Sequence, residues 1–276
     1  MKVAFQGEAG AFSEQAVFGY FEKAESISCE SFDAVFDAIN SGTCEAGIIP
    51  IENSLAGSIH ENYDLLLRNN LHIVGEYLLR VRHCLIANPG VKKADIKKAI
   101  SHPQALGQCA GYLRSHKIKA EQGLDTAGSV KALKESGALD TAAIASRRAA
   151  ELYGMQILEE GIEDNTENYT RFLAIQREPI IPESDPQQGL AKTSIVFTLN
   201  NVPGALFKAL SVFALRDINL TKIESRPLQG KPWEYLFYID FIGAMRDESS
   251  QKALDHLGEY ALMLRVLGSY PRFKMD

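Results

Sequence analysis

Short apolar runs alternate with amphipathic helical stretches through about the first 180 residues, and this alternation is the feature that most constrains the fold. Val3 to Phe5 predicts a strand, and Ala46 to Ile51 predicts a buried one. Between them, Ser31 precedes apolar residues at positions 32, 35, 36 and 39, which is the spacing of one helix face behind an N-cap. This order of strands and helices predicts a mainly parallel sheet covered on both faces.

A second lobe is predicted in the middle of this region. Leu71 to Ala87 is too long for a single typical strand, and we interpret it as strands that pass from one lobe to the next. A strand at Ala142 to Ala145 and a helix from Ser146 to Tyr153 follow, and the chain returns through Asn165 to Ile175. Leaving one lobe and coming back creates a cleft between the two. The first lobe would hold about residues 1–77 and 165–180, and the second about 78–164.

The order of elements changes after a polar segment. Arg177 to Lys192 carries three prolines and fits a linker, which we place at 181–191. Residues 192–276 then predict strand, helix, strand, strand, helix and strand, which is the ferredoxin-like βαββαβ order.

Composition argues against several classes of partner. No apolar run approaches the ~20 residues that a membrane-spanning helix needs. The net charge of -6 argues against a general nucleic-acid surface. The four cysteines form no CxxC pair and no two histidines have the i, i+4 spacing of a zinc-binding helix. We therefore expect reduced thiols, no metal and no cofactor. We also expect a cytoplasmic address, because no long apolar segment follows the basic start of the chain.

The turn Gly7-Glu8-Ala9-Gly10 leads from the first strand into a helix, for which we expect Ser13 as the N-cap. The glycines match only part of a dinucleotide-binding pattern, so we predict no nucleotide site. Free amides at the start of a helix can receive an anion. The glycines also have a purely conformational explanation.

Polar side chains follow one strand in each lobe. Glu52, Asn53 and Ser54 come after the buried strand, and His102 and Gln104 occupy the equivalent place in the second lobe. Open α/β folds bind ligands at such positions, although these residues are also ordinary loop and cap chemistry.

A hydroxyl, a guanidinium and an aromatic ring stand on the successive residues Thr170, Arg171 and Phe172, before an apolar run. One interpretation is the entry to a buried strand, and the other is part of an active site. In a regular strand Thr170 and Phe172 share a face and Arg171 points the other way. All three serve one cleft only if the strand is irregular or if Arg171 orients a neighbour.

Several blocks, taken together, resemble the prephenate dehydratase family. They are Pro50 to Ser54 with Gly57, Ser101 to Ala105 with Gln108-Cys109, Asp125 to Ala127, and Tyr169 to Phe172. Asn201 to Leu206 and Glu224 to Pro227 resemble the phenylalanine-sensing blocks of that family's ACT domain. The resemblance covers essentially the whole chain, in order.

The resemblance implies a fold and an activity. The fold is a two-lobed, periplasmic-binding-protein-like α/β catalytic domain over residues 1–180, followed by a ferredoxin-like ACT domain over 192–276. The activity is the decarboxylating dehydration of prephenate to phenylpyruvate in L-phenylalanine biosynthesis. L-Phenylalanine would be the allosteric effector, and the protein would be a homodimer or homotetramer.

The resemblance also implies roles for individual residues. Thr170 would assist the departing hydroxyl, Phe172 would shape the ring pocket, and Arg171 would bind or orient anionic groups. The implied substrate-binding residues are Glu52, Asn53, Ser54, Gly57, His102 and Gln104. The implied effector-binding residues are Asn201, Pro203, Gly204, Ala205, Leu206, Glu224, Ser225 and Arg226.

Two alternatives stay open at this point. Arogenate dehydratase performs the same elimination on the amino-acid analogue of prephenate and shares these blocks. A non-catalytic protein that binds an amino acid would also combine a two-lobed unit with a sensing domain, but it would not need the block around Thr170.

Overall fold

The structure is a computed structural model that describes residues 1–182, 191–228, 230, 231 and 233–273. In the first part of the chain the elements are β1 Lys2–Gln6, α1 Phe12–Tyr20, β2 Glu25–Cys29, α2 Phe32–Asn40, β3 Ala46–Asn53, β4 Gly57–Ser58, α3 His60–Arg68 and β5 His72–Arg80. The next are β6 Cys84–Ala87, a short 3-10 helix Lys93–Asp95, β7 Lys98–Ser101, α4 Pro103–Gln108, α5 Ala110–Ser115, β8 Lys119–Gln122, α6 Thr126–Ser136, β9 Thr141–Ala145, α7 Arg147–Tyr153, β10 Gln156–Glu160 and β11 Tyr169–Gln176. The last are β12 Ala191–Leu199, α8 Ala205–Ala214, β13 Leu220–Pro227, β14 Tyr235–Ile242, α9 Glu248–Tyr260 and β15 Ala261–Pro271.

Contacts divide the chain into two units. One contains Met1–Tyr63 and Tyr77–Phe172, and the other contains Asp64–Glu76 and Leu173–Asp276. The predicted boundaries at residues 180 and 192 stay predictions, and of the predicted linker, residues 183–190 lie outside the described residues. Ala191, which we had placed at the end of the linker, belongs to β12.

Two sheets account for the predicted pair of lobes. The first has the strand order β2-β1-β3-β11-β5, with β4 against β3, and the second has the order β10-β6-β9-β7-β8. The chain thus leaves the first sheet after β5, builds the second from β6 to β10, and returns in β11, as predicted. β1 runs parallel to β2 and β3. The second sheet is mixed, because β6 is antiparallel to β9 and β10.

Each lobe has its own core, built from the apolar faces that the sequence pattern marks. In the first lobe Val3, Phe5, Ile48 and Phe172 form a buried cluster with the apolar residues of α1. In the second, the apolar residues of β6 and β9 are buried against α6 and α7 on one face of the sheet. Burial of these faces fixes the ends of β3, β7 and β11, where the polar side chains lie.

Helix caps were predicted with mixed success. The Ser31 hydroxyl accepts a hydrogen bond from the Ala34 amide and caps α2, as expected. Our assignment of Ser13 as the cap of α1 is wrong: that helix begins at Phe12, and its N-cap residue is Ala11, without a side-chain cap. The stretch from Leu106 to Leu113 is divided between two short helices, α4 and α5, with Cys109 between them.

The second unit contains the predicted ferredoxin-like order, β12-α8-β13-β14-α9-β15. Its antiparallel sheet has the strand order β13-β14-β12-β15. The core between this sheet and the two helices includes Phe197, Phe213, Phe241 and Leu257. A turn around position 230 joins β13 to β14, and two of its residues, Gln229 and Pro232, lie outside the described residues.

A buried ion pair stands in the same unit. Lys192 Nζ lies 2.7 Å from Glu76 Oε2, and both side chains are almost fully buried. The other Glu76 oxygen accepts a hydrogen bond from the Phe273 amide at 3.1 Å. A buried charge pair of this kind is stable only while both partners are present.

Within the described residues, none of the helices has the length and apolar character required to cross a membrane.

Candidate active site

A cleft of about 250 Å³ lies between the two lobes of the first unit. Its polar lining residues are Gln6, Glu8, Ser13, Asn53, His83, His102, Gln104, Gln108, Asp125, Thr126 and Thr170. Its apolar lining residues include Phe12, Ile59, Val81 and Phe172. A concave site with an apolar wall and several convergent polar groups suits a small molecule that has both polar and apolar parts.

The strand β11 brings Thr170 and Phe172 to this cleft together. Both are buried, and both line the cavity, whereas Arg171 does not. This arrangement follows the alternation of a regular strand, so Arg171 is not placed to contact a ligand in the cavity directly. The catalytic roles of all three residues stay predictions.

The Asn53 amide holds the Thr170 hydroxyl. Asn53 Oδ1 accepts hydrogen bonds from the amides of Leu55 and Ala56, at 3.1 and 3.0 Å. These two bonds fix the orientation of the side-chain amide, and Nδ2 donates to Thr170 Oγ1 at 3.0 Å. Nδ2 also lies 2.8 Å from Asn168 Oδ1. Thr170 Oγ1 is therefore an acceptor from the protein, and among the described residues its own hydrogen has no acceptor.

The other predicted residues of the Pro50 to Gly57 block lie beside the cavity and do not line it. The Ser54 hydroxyl donates to the Glu167 carbonyl at 2.7 Å and accepts from the Tyr169 amide at 2.9 Å. It therefore fastens the loop after β3 to the start of β11. Glu52 and Gly57 belong to the small β3–β4 pairing, in which Glu52 is opposite Ser58. Of the four predicted substrate-binding residues in this block, Asn53 reaches the cavity, which Pro50 also lines.

His102 and Gln104 line the cavity from the second lobe. His102 precedes α4, and its Nδ1 accepts a hydrogen bond from the Gln104 amide at 3.2 Å. The cap function that we kept as an alternative for His102 is thus present together with its place at the cavity.

The sequence did not single out His83 or Gln108 as lining residues. His83 Nε2 lies 2.8 Å from Gln108 Oε1. Burial lowers the pKa of His83, against the opposing effects of the Gln108 hydrogen bond and the Glu163 charge. Gln108 stands in a block that we quoted, but His83 lies in the crossing between β5 and β6, where no motif marked it.

Two glycine amides of the turn before α1 are hydrogen-bonded within the protein, and an anion at the start of this helix stays a prediction. The buried Glu14 carboxylate accepts a hydrogen bond from the Gly10 amide at 2.8 Å, and the Gly7 amide donates to the Cys29 carbonyl at 3.0 Å. Glu14 also pairs with Arg148 at 2.7 Å. Burial by itself raises the pKa of Glu14, but the hydrogen bonds from Arg148, Gly10 and Ser26 outweigh it, so the pKa lies below its ordinary value.

The second unit has a pocket of about 220 Å³ at the start of α8. Of the predicted effector residues, Asn201, Gly204, Ala205 and Leu206 line it, as Trp233 and Tyr235 also do. Pro203, Glu224, Ser225 and Arg226 do not. Gly204 has a φ of 77°, a conformation that favours glycine, and it is the N-cap residue of α8.

Arg226, the last predicted effector residue, has a partner in the same unit. Its Nη2 lies 2.8 Å from Asp64 Oδ2, and its Nε and Nη1 are buried and have no hydrogen-bond partner among the residues that the structure describes. The structure therefore brings only one of the two predicted effector blocks to the pocket of a single chain.

In the ranges that the structure describes, no group of three or more His, Cys, Asp or Glu side chains is arranged to hold a metal ion.

A two-lobed α/β unit with a polar cleft, joined to a ferredoxin-like module with its own pocket, is the class of protein that the fold and the sites define. The chain belongs to the prephenate dehydratase family. The prephenate dehydratase family model matches residues 3–180, and the ACT domain model matches residues 193–259.

Curated relatives and solved structures are similar over nearly the whole chain. The arogenate dehydratase/prephenate dehydratase 2 of Arabidopsis thaliana, which is chloroplastic, is 52% identical over 98% of this chain and 73% of its own length. Arogenate dehydratase 2 of Petunia hybrida is 50% identical over 98% of this chain and 72% of its own length.

Two solved structures have the same fold. The prephenate dehydratase of Arthrobacter aurescens in complex with L-Phe has a TM-score of 0.89 and 34% identity, covering 99% of this chain and 90% of that one. The protein GqqA, described as a novel type of quorum quenching acylase, has a TM-score of 0.92 and 35% identity, covering 99% of this chain and 98% of that one.

Proposed function

We propose that this protein converts prephenate to phenylpyruvate in the biosynthesis of L-phenylalanine. The observation that carries the proposal is the hydrogen bond from Asn53 Nδ2 to Thr170 Oγ1 at the cleft. It leaves the hydroxyl hydrogen of Thr170 available to a substrate oxygen. The high identity to arogenate and prephenate dehydratases over almost all of the chain also supports it.

The reaction needs a hydrogen-bond donor at the leaving oxygen. The bond between the ring and its carboxylate breaks, and its electron pair moves into the ring as CO2 departs. The bond between the ring and its hydroxyl breaks, and that oxygen leaves and takes up a proton to become water. The Thr170 hydroxyl is too weak an acid to supply this proton alone, so its role is to stabilise the developing negative charge.

The test compares Thr170→Val with Thr170→Ser by the absorbance of phenylpyruvate. Valine keeps the shape of threonine and removes the donor, and we expect kcat to fall about a hundredfold, roughly 3 kcal/mol of transition-state stabilisation. Serine keeps the hydroxyl and should keep most of the activity. Equal kcat values for wild type and Thr170→Val would reject this role.

Arogenate is the second candidate substrate, and a specific observation favours testing it. It carries an ammonium group where prephenate carries a ketone, and the carboxylates of Glu8 and Asp125 line the cleft. Turnover of both substrates by the same preparation decides between them. If arogenate is preferred, Glu8→Gln should lower kcat/KM for arogenate more than for prephenate.

L-Phenylalanine is the proposed effector, and the pocket at the start of α8 is its proposed site. The size of the pocket and the L-Phe complex of the Arthrobacter aurescens relative support this. Trp233 lines the pocket and is the only tryptophan of the chain, so its fluorescence reports on this site. L-Phenylalanine should change the emission saturably and inhibit turnover, and D-phenylalanine is the control.

A variant that fills the pocket tests whether L-phenylalanine inhibits turnover by binding there. In Ala205→Phe, the concentration of L-phenylalanine for half-maximal inhibition should rise at least tenfold relative to wild type, each measured against its own uninhibited rate. Unchanged inhibition would exclude this pocket as the effector site.

We also propose that the protein associates with itself as a dimer or tetramer. Its proposed location is the cytoplasm. Phe207 and Trp233 at the effector pocket are 77% and 78% exposed, and large exposed apolar side chains favour an interface. Sedimentation measurements with and without L-phenylalanine test the assembly. The address is tested by locating the tagged protein in its own cells.

A further inference from the structure

The backbone of His83 is held more firmly than a connecting segment requires. Its amide donates to Glu163 Oε2 at 2.9 Å, and its carbonyl accepts from the amides of Gly161 and Ile162 at 2.9 and 3.2 Å. This residue lies in the crossing between the two sheets, where the chain has no regular partner strand. These three hydrogen bonds fix the position of the backbone that carries the imidazole ring.

The imidazole ring is fixed as well. The residue is 2% exposed, and Phe12 packs against the ring edge to face, with centroids 5.4 Å apart. Phe12 comes from the first lobe, and Gln108, the hydrogen-bond partner of the ring, comes from the second. The ring thus has one orientation, and its Nε2 is directed at Gln108 Oε1.

The pairing specifies which nitrogen carries the hydrogen. A glutamine oxygen only accepts hydrogen bonds, so Nε2 is the donor. His83 Nδ1 is buried and has no hydrogen-bond partner among the described residues. A bare acceptor is less costly to bury unpaired than an N–H group, which agrees with a neutral ring protonated on Nε2.

The same bond orients the Gln108 amide. With Oε1 engaged by His83, the two hydrogens on the Gln108 side-chain nitrogen are left for another acceptor, and Gln108 lines the cleft. The helix that carries Gln108 is anchored, because the Gln108 carbonyl accepts from the Asp164 amide at 2.8 Å. Without His83, the amide could rotate and present its oxygen to the cleft, where it would repel an anionic substrate.

We propose that His83 is a positioning residue, which holds the Gln108 amide so that its NH2 group donates to an oxygen of the anionic substrate. The inference rests on the proposed function, because it assigns to the cleft a substrate with carboxylate, carbonyl or hydroxyl oxygens. His83 acts through Gln108 and does not itself transfer a proton.

The experiment compares two amide variants of the full-length protein. In His83→Gln the side-chain nitrogen stands about where Nε2 stands, so it can still donate to Gln108. In His83→Asn the amide stands near the position of Nδ1 and does not reach Gln108. We expect kcat/KM for prephenate within about threefold of wild type for His83→Gln and a loss of roughly tenfold or more for His83→Asn. His116→Asn, on an exposed histidine of the same lobe, is the matched control.

Two further measurements distinguish positioning from a general structural role. On a Gln108→Leu background His83→Asn should cause no additional loss, because the group that it positions is absent. The 15N spectrum of the histidines should show one buried ring protonated on Nε2 alone. The proposal is overturned if His83→Gln and His83→Asn are equally active at equal melting temperature, if the losses of His83→Asn and Gln108→Leu multiply, or if that ring is protonated on Nδ1.

Failure of the proposed function has a different signature. In that case wild type forms no phenylpyruvate, while the histidine spectrum still decides whether His83 donates to Gln108.

Discussion

The Asn53 amide determines which way the hydrogen bond to Thr170 runs. Its oxygen is engaged by two backbone amides of the loop after β3, so its nitrogen is the group that meets the threonine hydroxyl. A hydroxyl that accepts from one side is directed to donate on the other. We had assigned Asn53 to substrate binding, and the structure gives it a second task in orienting Thr170.

We therefore predict that Asn53→Asp lowers kcat about as much as Thr170→Val does, although it changes a single atom type. The aspartate keeps an oxygen for the Leu55 and Ala56 amides, but its second oxygen accepts where Asn53 donates. Thr170 then donates to residue 53, and the departing hydroxyl loses its hydrogen bond. Steady-state kinetics test this, with melting temperature as the control for folding. Nearly normal kcat for Asn53→Asp would contradict it.

A second prediction concerns pH and the buried Glu14 carboxylate. The pKa of Glu14 is lower in the folded protein than its ordinary value, so this carboxylate stabilises the fold above its ordinary pKa. The stabilisation is lost as the pH falls through the lowered folded value. Glu14→Gln should thus have a lower melting temperature than wild type at neutral pH. The difference in melting temperature between the two proteins should shrink in acid. Melting temperatures from pH 7 down to about pH 3 measure this, and a constant difference would contradict it.

At the scale of elements, the turn before α1 docks on α7 of the other lobe. The Ser146 hydroxyl donates to the Gly10 carbonyl at 2.6 Å, and the Tyr153 hydroxyl donates to the Ala9 carbonyl at 3.2 Å. A Cβ added at Gly10 would lie 2.8 Å from the Ala149 Cα. Glycine at position 10 therefore permits a close approach of the two lobes beside the cleft.

Gly10→Ala should destabilise the protein more than Gly90→Ala does. Both glycines have a positive φ, 92° and 86°, so both variants carry a similar backbone strain. A Cβ at Gly10 faces a neighbouring backbone, whereas a Cβ at Gly90 meets no atom of the described residues within 4 Å. The loss of unfolding free energy should be about 1–3 kcal/mol larger for Gly10→Ala than for Gly90→Ala, as measured by urea unfolding. Equal losses of unfolding free energy in the two variants would show that the lobes can move apart at position 10 without a loss of stability.

The ease of predicting each element depended on its apolar pattern. α2 has a polar cap and an apolar stripe, and the sequence located it. The sequence did not locate β2 or β8, which lie at the edges of their sheets and carry polar residues. An edge strand is held by hydrogen bonds to a neighbour distant in the chain, and its own alternation is weak.

At the scale of the whole molecule, the buried ion pair between Lys192 and Glu76 in the second unit should contribute strongly to the free energy of unfolding. Lys192→Met leaves the Glu76 carboxylate buried without the Lys192 ammonium group. We expect the free energy of unfolding to fall by about 3–5 kcal/mol. Combining it with Glu76→Gln removes the charge and keeps an acceptor for the Phe273 amide, so the double variant should be more stable than Lys192→Met alone. Denaturant unfolding measures both, and a double variant that is less stable than the single one would contradict this.

The sequence by itself determined the alternation of strands and helices, the return of the chain to the first sheet, and the common face of Thr170 and Phe172. These features follow from local periodicity, which each segment carries in its own residues. Only the tertiary structure decided the direction of the Asn53 hydrogen bond, the place of His83 beside Gln108, and the pairing of Glu14 with Arg148. Each of these depends on contacts between segments far apart in the chain, such as Asn53 and Thr170, which are 117 residues apart. Periodicity contains no information about which distant side chain satisfies a buried polar group, because that is settled by packing.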